Sequence, residues 1–299
     1  MEIRSQPAFG ATSRDVRYRT VRKRFAAVLV LLAASITGWS GVGGARASTT
    51  GIHWIVAASA LKEIAQLNPT VAQAAFDNPS TYVVRDGTGT GIRSGWTSIP
   101  TASYKSYAQL SYDMSHGLFP AGVQAVLYDD ERWSFTPTVE QLNPALYIGL
   151  AGQLCHSHGL ALIATPAVDL AAVLSPGTPR YQAYLSLGLP AAAAKSADAV
   201  DVQAQSLETN TSAYSAFVMK AAQQARQTGG ANLVVLAGLS TGPAGQTVTA
   251  TQLTSAANAT SSLVDGYWLN VPGQSAYCPT CGAPKPGVAV AFLRAFLHL

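Results

Sequence analysis

Charged residues are scarce in this chain, at 11% of the sequence, whereas 48% of its residues are hydrophobic. This balance excludes an intrinsically disordered chain, a coiled coil and a collagen-like repeat. Only three cysteines occur among the 299 residues, which excludes a small domain held together by many disulfides. The chain is therefore long and apolar enough to bury a sizeable core.

The formal net charge of +4 originates at the start of the chain. Eight basic and two acidic residues precede Ser48, so this segment carries +6 and the remainder −2. The basic stretch ends at Arg24, and an apolar run follows from residue 25 to about residue 39, before the small-residue sequence Ala45-Arg46-Ala47. This arrangement predicts a secretory signal peptide over residues 1–47 and a single mature domain over residues 48–299.

A membrane anchor is the alternative interpretation of this leader. A spanning helix needs roughly 20 apolar residues, and the run is interrupted before that length by Gly41, Gly43 and Gly44. We therefore expect a secreted, extracellular protein with no stable membrane span after signal removal. Because the basic excess belongs to the leader, we expect no nucleic-acid partner.

The cysteines are Cys155, Cys278 and Cys281. In an oxidising compartment, Cys278 and Cys281 are predicted to close a small loop disulfide and to leave Cys155 as a buried thiol. A thioredoxin-like motif would follow the first strand of a βαβ unit, and a zinc site would need a second ligand pair. His156 and His158 fall at a predicted helix end, which feeds the opposite face of a barrel from its strand tips. We therefore expect no metal site.

Short apolar runs recur at regular intervals, each followed by a helical stretch. The five clearest runs predict strands at 123–128, 160–165, 199–204, 233–239 and 267–271. Their nearly continuous apolar character is typical of parallel strands that are covered on both faces. Towards the N-terminus, further strands are predicted at 52–57, at 82–85 and near 96–99, with a helix over 104–116.

About eight strands that alternate with helices over roughly 250 residues match a (β/α)8 barrel of the TIM type, in one domain. An open doubly wound parallel sheet would produce the same rhythm. The barrel is favoured because no G-x-G-x-x-G follows a first strand and no G-x-x-x-x-G-K-[ST] occurs anywhere. We expect no cofactor.

Three carboxylates, Asp129, Asp130 and Glu131, follow the strand predicted at 123–128. Because side chains alternate along a strand, Asp129 and Glu131 are expected to project to one side and Asp130 to the other. Two neighbouring carboxylates repel, and the repulsion is relieved if one keeps its proton at neutral pH, as a general acid requires. The alternative is a solvated loop in which Asp130 caps the next helix and Arg132 neutralises its neighbours.

This strand tip resembles the D-x-E end of the motif found in chitinase-like glycoside hydrolases of family 18. The resemblance implies that Glu131 protonates the glycosidic oxygen while Asp129 orients the N-acetyl group of the substrate as an internal nucleophile. The family pattern D-G-x-D-x-D-x-E has further acids where this sequence has Gln124 and Leu127. A tryptophan near the last strand is also typical of the family, and Trp268 is suitably placed.

Other strand tips carry candidate polar groups. Asp201, Gln203 and Gln205 fall on one face of their strand, where they form either a structural hydrogen-bond network or partners for sugar hydroxyls. Glu208 and Asp169 are candidates for a second catalytic carboxylate, whose separation from the acid would set the stereochemistry of glycoside cleavage.

Aromatic residues accompany these polar groups. Trp268, Tyr128, Trp133 and Tyr267 offer flat apolar faces on which a pyranose ring stacks, and Asn270 adds one amide.

We therefore predict a secreted glycoside hydrolase that cleaves an extracellular glycan, with Glu131 as general acid and Asp129 as the assisting carboxylate. The residues predicted to bind substrate are Tyr128, Asp130, Gln203, Gln205, Glu208, Trp268 and Asn270. The second hypothesis is a catalytically silent barrel that binds a glycan or another surface ligand, and the missing upstream acids favour it. The identity of the glycan, the anomeric outcome and the oligomeric state stay open at this stage.

Overall fold

A computed structural model describes residues 51–85 and 89–299. The signal peptide predicted over residues 1–47 lies outside the described residues. The strands are β1 (His53–Ala57), β2 (Thr81–Val84), β3 (Ile99–Tyr104), β4 (Ala125–Tyr128), β5 (Ala161–Ala164), β6 (Ala199–Val202), β7 (Val234–Ser240) and β8 (Gly266–Asn270). Each strand pairs in parallel with the next, and β8 pairs with β1 to close the barrel. The predicted (β/α)8 barrel is confirmed, and the open doubly wound sheet is wrong.

Helices surround the barrel in the described part of the chain. They are α1 (Ala58–Leu67), α2 (Pro69–Phe76), α3 (Tyr107–Ser115), α4 (Thr138–Gln141), α5 (Pro144–Ser157), α6 (Leu170–Leu174), α7 (Arg180–Ser186), α8 (Leu189–Ala194), α9 (Thr211–Gly229), α10 (Ala250–Thr260) and α11 (Pro286–Phe296). Local sequence explains several boundaries. Asn210 caps α9 by accepting a hydrogen bond from the Ala213 backbone N–H, and α10 begins with a capping box of Thr249 and Gln252.

The region between β2 and α3 differs from the sequence expectation. The strand predicted near 96–99 lies at Ile99–Tyr104, and the helix predicted from residue 104 begins at Tyr107. The sequence does not show this strand as a continuous apolar run, because the hydroxyl-bearing residues Thr101 and Ser103 interrupt it. Each hydroxyl has a partner, since Thr101 donates to the Ile99 carbonyl and Ser103 accepts from Lys105. The helix begins where Ser106 accepts a hydrogen bond from the Gln109 backbone N–H.

Alternating side chains divide the apolar residues between two layers. One set fills the interior of the barrel and consists of Ile55, Tyr82, Ala125, Leu127, Ile163, Ala199 and Leu236. The other set packs between the strands and the helices and includes Val126 and Tyr128 of β4. Because side chains alternate along β4, the odd-numbered residues that follow it point towards the barrel axis and the even-numbered residues towards the helices.

The loop that follows β4 is fastened to α3 by a buried carboxylate. Glu140 accepts hydrogen bonds from the backbone N–H groups of Tyr107 and Ala108, at 2.7 and 3.1 Å, and from the Tyr128 hydroxyl at 2.7 Å. A carboxylate at a helix N-terminus satisfies unpaired N–H groups and interacts favourably with the helix dipole. Glu140 thus fixes both ends of the segment that carries Asp129 to Glu131.

Cys278 and Cys281 form the predicted disulfide, and Cys155 is a buried thiol in α5. The disulfide lies in the long connection between β8 and α11, which forms part of the upper surface of the barrel. Within the described residues, none of the helices has the length and apolar character that a membrane span requires.

Candidate active site

A cavity of about 1180 Å³ opens at the carboxyl ends of the strands. Several of the residues expected to form a site line it: Asp129, Glu131, Gln203, Gln205, Trp268 and Asn270. They come from the ends of β4, β6 and β8, which converge because the strands of a closed barrel all end at one face. The cavity exceeds the range of roughly 300–1,000 Å³ that encloses a drug-sized ligand.

Asp129 is the most heavily hydrogen-bonded group of this cavity. Its Oδ2 lies 2.7 Å from the Lys105 ammonium, and its Oδ1 accepts from the Thr165 hydroxyl at 3.0 Å and from the Gln203 amide at 3.2 Å. These donors come from the ends of β3, β5 and β6. One opposite charge and two neutral donors therefore hold the Asp129 carboxylate in a fixed orientation.

Glu131 lies beside Asp129, is half-buried, and is hydrogen-bonded to it. Burial and the Asp129 carboxylate raise the pKa of Glu131 to about 9. The carboxylate of Asp169 adds to this rise, whereas the Lys105 ammonium opposes it. With this raised pKa, Glu131 holds a proton at neutral pH beside the Asp129–Lys105 ion pair, and a protonated carboxyl group is what a general acid needs.

Two residues expected to contact a ligand lie on the other side of β4. The Tyr128 side chain is fully buried and donates its hydroxyl hydrogen to Glu140. Asp130 is also fully buried, on the side of the barrel wall that faces the helices. Neither residue lines the cavity, because both occupy the even-numbered positions that face the helices. Both side chains therefore lie away from this cavity.

Glu208 also stays out of the cavity, although it was a candidate for a second carboxylate. It is fully buried and accepts hydrogen bonds from the backbone N–H groups of Ser206 at 2.6 Å and of Ser240 at 2.8 Å. Ser206 has a φ of +82°, in the left-handed region that non-glycine residues seldom adopt. Glu208 thus holds a strained turn between β6 and α9 and ties it to the end of β7.

The polar face of β6 separates into an upper and a lower part. Gln203 donates to Asp129 and, at 2.8 Å, to the Thr165 carbonyl, so it supports the carboxylate as well as lining the cavity. Asp201 lies below it in the barrel interior, and neither of its carboxyl oxygens has a hydrogen-bond partner among the described residues. Burial raises the pKa of Asp201 well above its usual value. The expected hydrogen-bonded stripe therefore includes Gln203 but not Asp201.

Asp169 is the other candidate for a second carboxylate, and it does line the cavity. It accepts a hydrogen bond from the Arg132 backbone N–H at 3.1 Å. Burial raises the pKa of Asp169, and this hydrogen bond together with the guanidinium groups of Arg132 and Arg180 opposes the rise. Among the two candidates, only Asp169 is in a position to meet a ligand in this cavity.

The aromatic residues divide in the same way. Trp133 and Trp268 line the cavity, whereas Tyr267 is buried against the helices and donates its hydroxyl hydrogen to the Ala257 carbonyl at 2.6 Å. Tyr277, from the disulfide-containing connection, also lines the cavity and was missed by the sequence analysis.

Lys105 is a further residue of the cavity that was not predicted from the sequence. It directly follows β3, but the helix predicted from residue 104 hid its position at a strand end. Had β3 been placed correctly, a lysine directly after its end, next to a strand that ends in carboxylates, would have indicated a residue of the site.

The histidines at the end of α5 lie on the surface, and His156 contacts Asp198 at 2.9 Å. Among the described residues, no group of three or more His, Cys, Asp and Glu side chains is arranged to hold a metal ion.

The fold and its carboxylate-lined cavity define a (β/α)8 barrel with an acid–carboxylate pair at its mouth. Neither a protein-family model nor a curated protein sequence matches this chain. Among solved structures, a chitinase from Chromobacterium violaceum ATCC 12472 is similar, with a TM-score of 0.46 and 14% identity, over 83% of this chain and 98% of that one.

Two other solved structures have a comparable likeness. An active-site mutant of the Rhizomucor miehei β-1,3-glucanosyltransferase in complex with laminaritriose has a TM-score of 0.43 and 11% identity, over 80% of this chain and 97% of that one. A fusion of a xylose isomerase-like TIM barrel with a 4-hydroxyphenylpyruvate dioxygenase has a TM-score of 0.40 and 14% identity, over 83% of this chain and 42% of that one. At these scores the likeness assigns no activity to this chain.

Proposed function

We propose that this protein is a secreted glycoside hydrolase that cleaves an extracellular glycan by carboxylate acid/base catalysis. The observation that carries the proposal is the pair of Glu131 and Asp129 at the mouth of the barrel. A raised pKa keeps the proton on Glu131, Asp129 is paired with the Lys105 ammonium, and both line a cavity large enough for a chain of sugar rings. Export rests on the signal peptide predicted over residues 1–47.

In the proposed reaction, Glu131 transfers its proton to the glycosidic oxygen as the bond to the anomeric carbon breaks. The leaving sugar departs as an alcohol, and Glu131 becomes a carboxylate. A water molecule then supplies the hydroxyl group of the new anomeric centre and returns a proton to Glu131, so that protons and charge balance over one turnover. Asp129 offsets the positive charge that develops on the sugar ring.

The attacking group at the anomeric carbon has two candidates. In an N-acetylated glycan, the substrate's own acetamido oxygen attacks and Asp129 orients it, as the family resemblance implies. In a glycan without N-acetyl groups, the carboxylate of Asp169 takes the place of the acetamido oxygen, because it is the candidate second catalytic carboxylate that lines the cavity. Chito-oligosaccharides and β-1,3-gluco-oligosaccharides distinguish these two routes, because only the former carry the acetamido group.

The decisive experiment replaces Glu131 by Gln, which keeps the shape of the side chain and removes its proton. Turnover of a cleaved glycan should fall by roughly 10²- to 10⁴-fold, with the melting temperature close to that of the wild type. Asp77→Asn is the matched control, since Asp77 lies at the end of α2 before β2, on the opposite face of the barrel. Release of reducing ends measures turnover, and an unchanged rate in Glu131→Gln would remove the assignment.

A catalytically silent glycan-binding barrel is the second candidate, and one observation favours it. Leu127 points into the barrel interior two residues before Asp129, at a position where the family pattern has an acid. Binding of chito-oligosaccharides or β-1,3-gluco-oligosaccharides by the wild type, without release of reducing ends, would support this candidate over the hydrolase.

A further inference from the structure

Three aromatic side chains form a cluster at the rim of the cavity, which we call the aromatic ridge: Trp133, Phe135 and Tyr277. Their ring centroids lie 4.8 to 5.8 Å apart. Phe135 is 39% exposed and Tyr277 is 58% exposed, although both are large and carry apolar rings. The ridge joins two separate parts of the chain, because its first two members follow β4 and the third follows β8.

The ridge is held in place from both sides. The Trp133 indole N–H donates to the Thr136 hydroxyl at 2.8 Å, and this hydroxyl donates to the Lys105 carbonyl at 2.7 Å. On the other side, the disulfide between Cys278 and Cys281 directly follows Tyr277. Backbone hydrogen bonds, including one from Gln274 to Gly282, close the same loop. Hydrogen bonds and the disulfide therefore fix the backbone that carries the exposed rings, so that the rings lose little conformational entropy when a ligand covers them.

A second cavity of about 520 Å³ lies on the far side of the ridge. Four residues line both cavities: Arg85, Ser103, Lys105 and Tyr277. The second cavity therefore continues the first one across the aromatic ridge. Its outer wall is polar and is formed in part by Ser106, Gln109 and Asp113 of the α3 region.

The chemistry of this path fits a chain of sugar rings. The C–H faces of a pyranose pack against flat aromatic rings, and its hydroxyl groups need hydrogen-bond partners at the edges. Asp113 accepts from the Gln109 amide at 2.6 Å and from the Tyr104 hydroxyl at 3.0 Å, and a carboxylate has about four acceptor sites, so capacity for ligand hydroxyls is left. The Lys105 ammonium lies 5.6 and 5.7 Å from the ring centroids of Trp133 and Tyr277, between the ridge and Asp129.

We propose that the two cavities form one groove for an extended linear glycan, in which a sugar ring stacks on Phe135 and Tyr277 several residues along the chain from the bond cleaved beside Glu131. This inference rests on the proposed function and specifies its substrate class. The protein acts on long chains in preference to di- or trisaccharides, because a short ligand occupies the first cavity without reaching Phe135, which lines only the second cavity.

The test compares Phe135→Ala, Tyr277→Ala and Tyr277→Leu with the wild type on short and long members of one glycan series. Chito-oligosaccharides and β-1,3-gluco-oligosaccharides of two and six units serve as probes. Phe135→Ala should lower kcat/KM for the hexamer about tenfold and leave the value for the dimer within about twofold, because Phe135 lines only the second cavity. Tyr277 lines both cavities, so Tyr277→Ala should lower the hexamer value by at least as much. Tyr277→Leu keeps apolar bulk and lacks the flat ring, so it should resemble Tyr277→Ala.

Tyr112→Ala is the matched control, since Tyr112 is an exposed tyrosine of α3 that stacks on His116 and lies outside both cavities. It should leave both substrates unaffected. Equal losses on dimer and hexamer in Phe135→Ala, or no loss on either, would overturn the groove. Melting temperatures of all variants show that the fold is intact, and Phe135→Ala tests the ridge without altering the disulfide loop.

Binding to the Glu131→Gln variant separates this inference from the proposed function. Hexamer binding that weakens about tenfold when Tyr277→Ala is added supports the groove, even if the wild type cleaves nothing. Cleavage that depends on Glu131 but not on chain length or Tyr277 would leave the hydrolase standing and overturn the groove. Absence of both binding and cleavage for the two series would overturn both.

Discussion

The Lys105 ammonium lies 2.7 Å from the Oδ2 atom of Asp129 and also donates a hydrogen bond to the Ser103 hydroxyl at 2.6 Å. Lysine and aspartate reach each other from the ends of adjacent strands β3 and β4. The pair stands beside Glu131, whose pKa the lysine lowers and the aspartate raises. The cation therefore limits how strongly Glu131 retains the proton that the proposed reaction transfers.

Replacing Lys105 by Gln should move the alkaline limb of the pH–rate profile to higher pH. The positive charge opposes the rise in the pKa of Glu131, so its removal should raise this pKa further. The maximal rate should fall as well, because Asp129 loses its charged partner. The measurement is kcat/KM between about pH 5 and about pH 10 on a cleaved oligosaccharide. Lys105→Arg keeps the charge and is the control, and a shift of the same size in this variant would contradict the electrostatic explanation.

Much of the architecture follows from the sequence, because parallel strands in a closed barrel are buried on both faces and appear as continuous apolar runs. The strands predicted at 160–165 and 233–239 lie where expected, within about two residues at each end. β3 was misplaced because Thr101 and Ser103 make it look like a loop. That error concealed Lys105, since a residue assigned to a helix is not considered for a strand-end site.

The candidate site was only partly predictable for a different reason. Alternation along β4 placed Asp129 and Glu131 on one side, since side-chain parity is a local property of a strand. Glu208 lies beyond the end of β6, where the backbone turns through the left-handed conformation of Ser206 and parity no longer applies. Tyr277 reaches the cavity from a long connection, and contacts of this kind depend on tertiary packing that sequence spacing does not encode.

Two glycines of the barrel should respond differently to replacement by Ala. A Cβ atom at Gly238 of β7 would collide with the side-chain amide of Gln205, which is the flexible end of a side chain that lines the cavity. Gly238→Ala should therefore displace Gln205 and weaken binding of the chito-hexamer or the β-1,3-gluco-hexamer by several-fold, with a small loss of stability. Calorimetric binding and thermal melting measure the two effects. Unchanged affinity would show that Gln205 does not contact the ligand.

Gly266→Ala is the contrasting variant, since a Cβ atom at Gly266 of β8 would collide with the backbone carbonyl of His53. This contact lies at the seam where β8 pairs with β1, and neither backbone can withdraw without breaking the ladder. The free energy of unfolding should fall by about 3 kcal/mol. Urea denaturation of both variants separates them, and a loss for Gly266→Ala as small as that for Gly238→Ala would contradict the backbone clash.

Asp130 should make the stability of the protein depend on pH. Burial, followed by the charges of Asp129 and Glu140, raises the pKa of Asp130 well above its usual value, and its carboxyl oxygens have no hydrogen-bond partner among the described residues. In the unfolded chain this group ionises near pH 4, whereas in the fold it stays protonated. Its contribution is therefore fully present below about pH 4 and is lost as the pH rises towards the folded-state pKa, at a slope of up to ~1.4 kcal/mol per pH unit.

Asp130→Asn has no proton to lose and should remove this part of the pH dependence. The variant should gain in free energy of unfolding, relative to the wild type, between about pH 5 and about pH 8, since only the wild-type unfolded state releases this proton. Asp201, Glu131 and Glu208 also have raised pKa values and titrate in both proteins, so the difference between the two urea-denaturation curves isolates Asp130. Parallel stability curves for variant and wild type across this range would contradict this prediction, because they would mean that Asp130 is ionised in the fold.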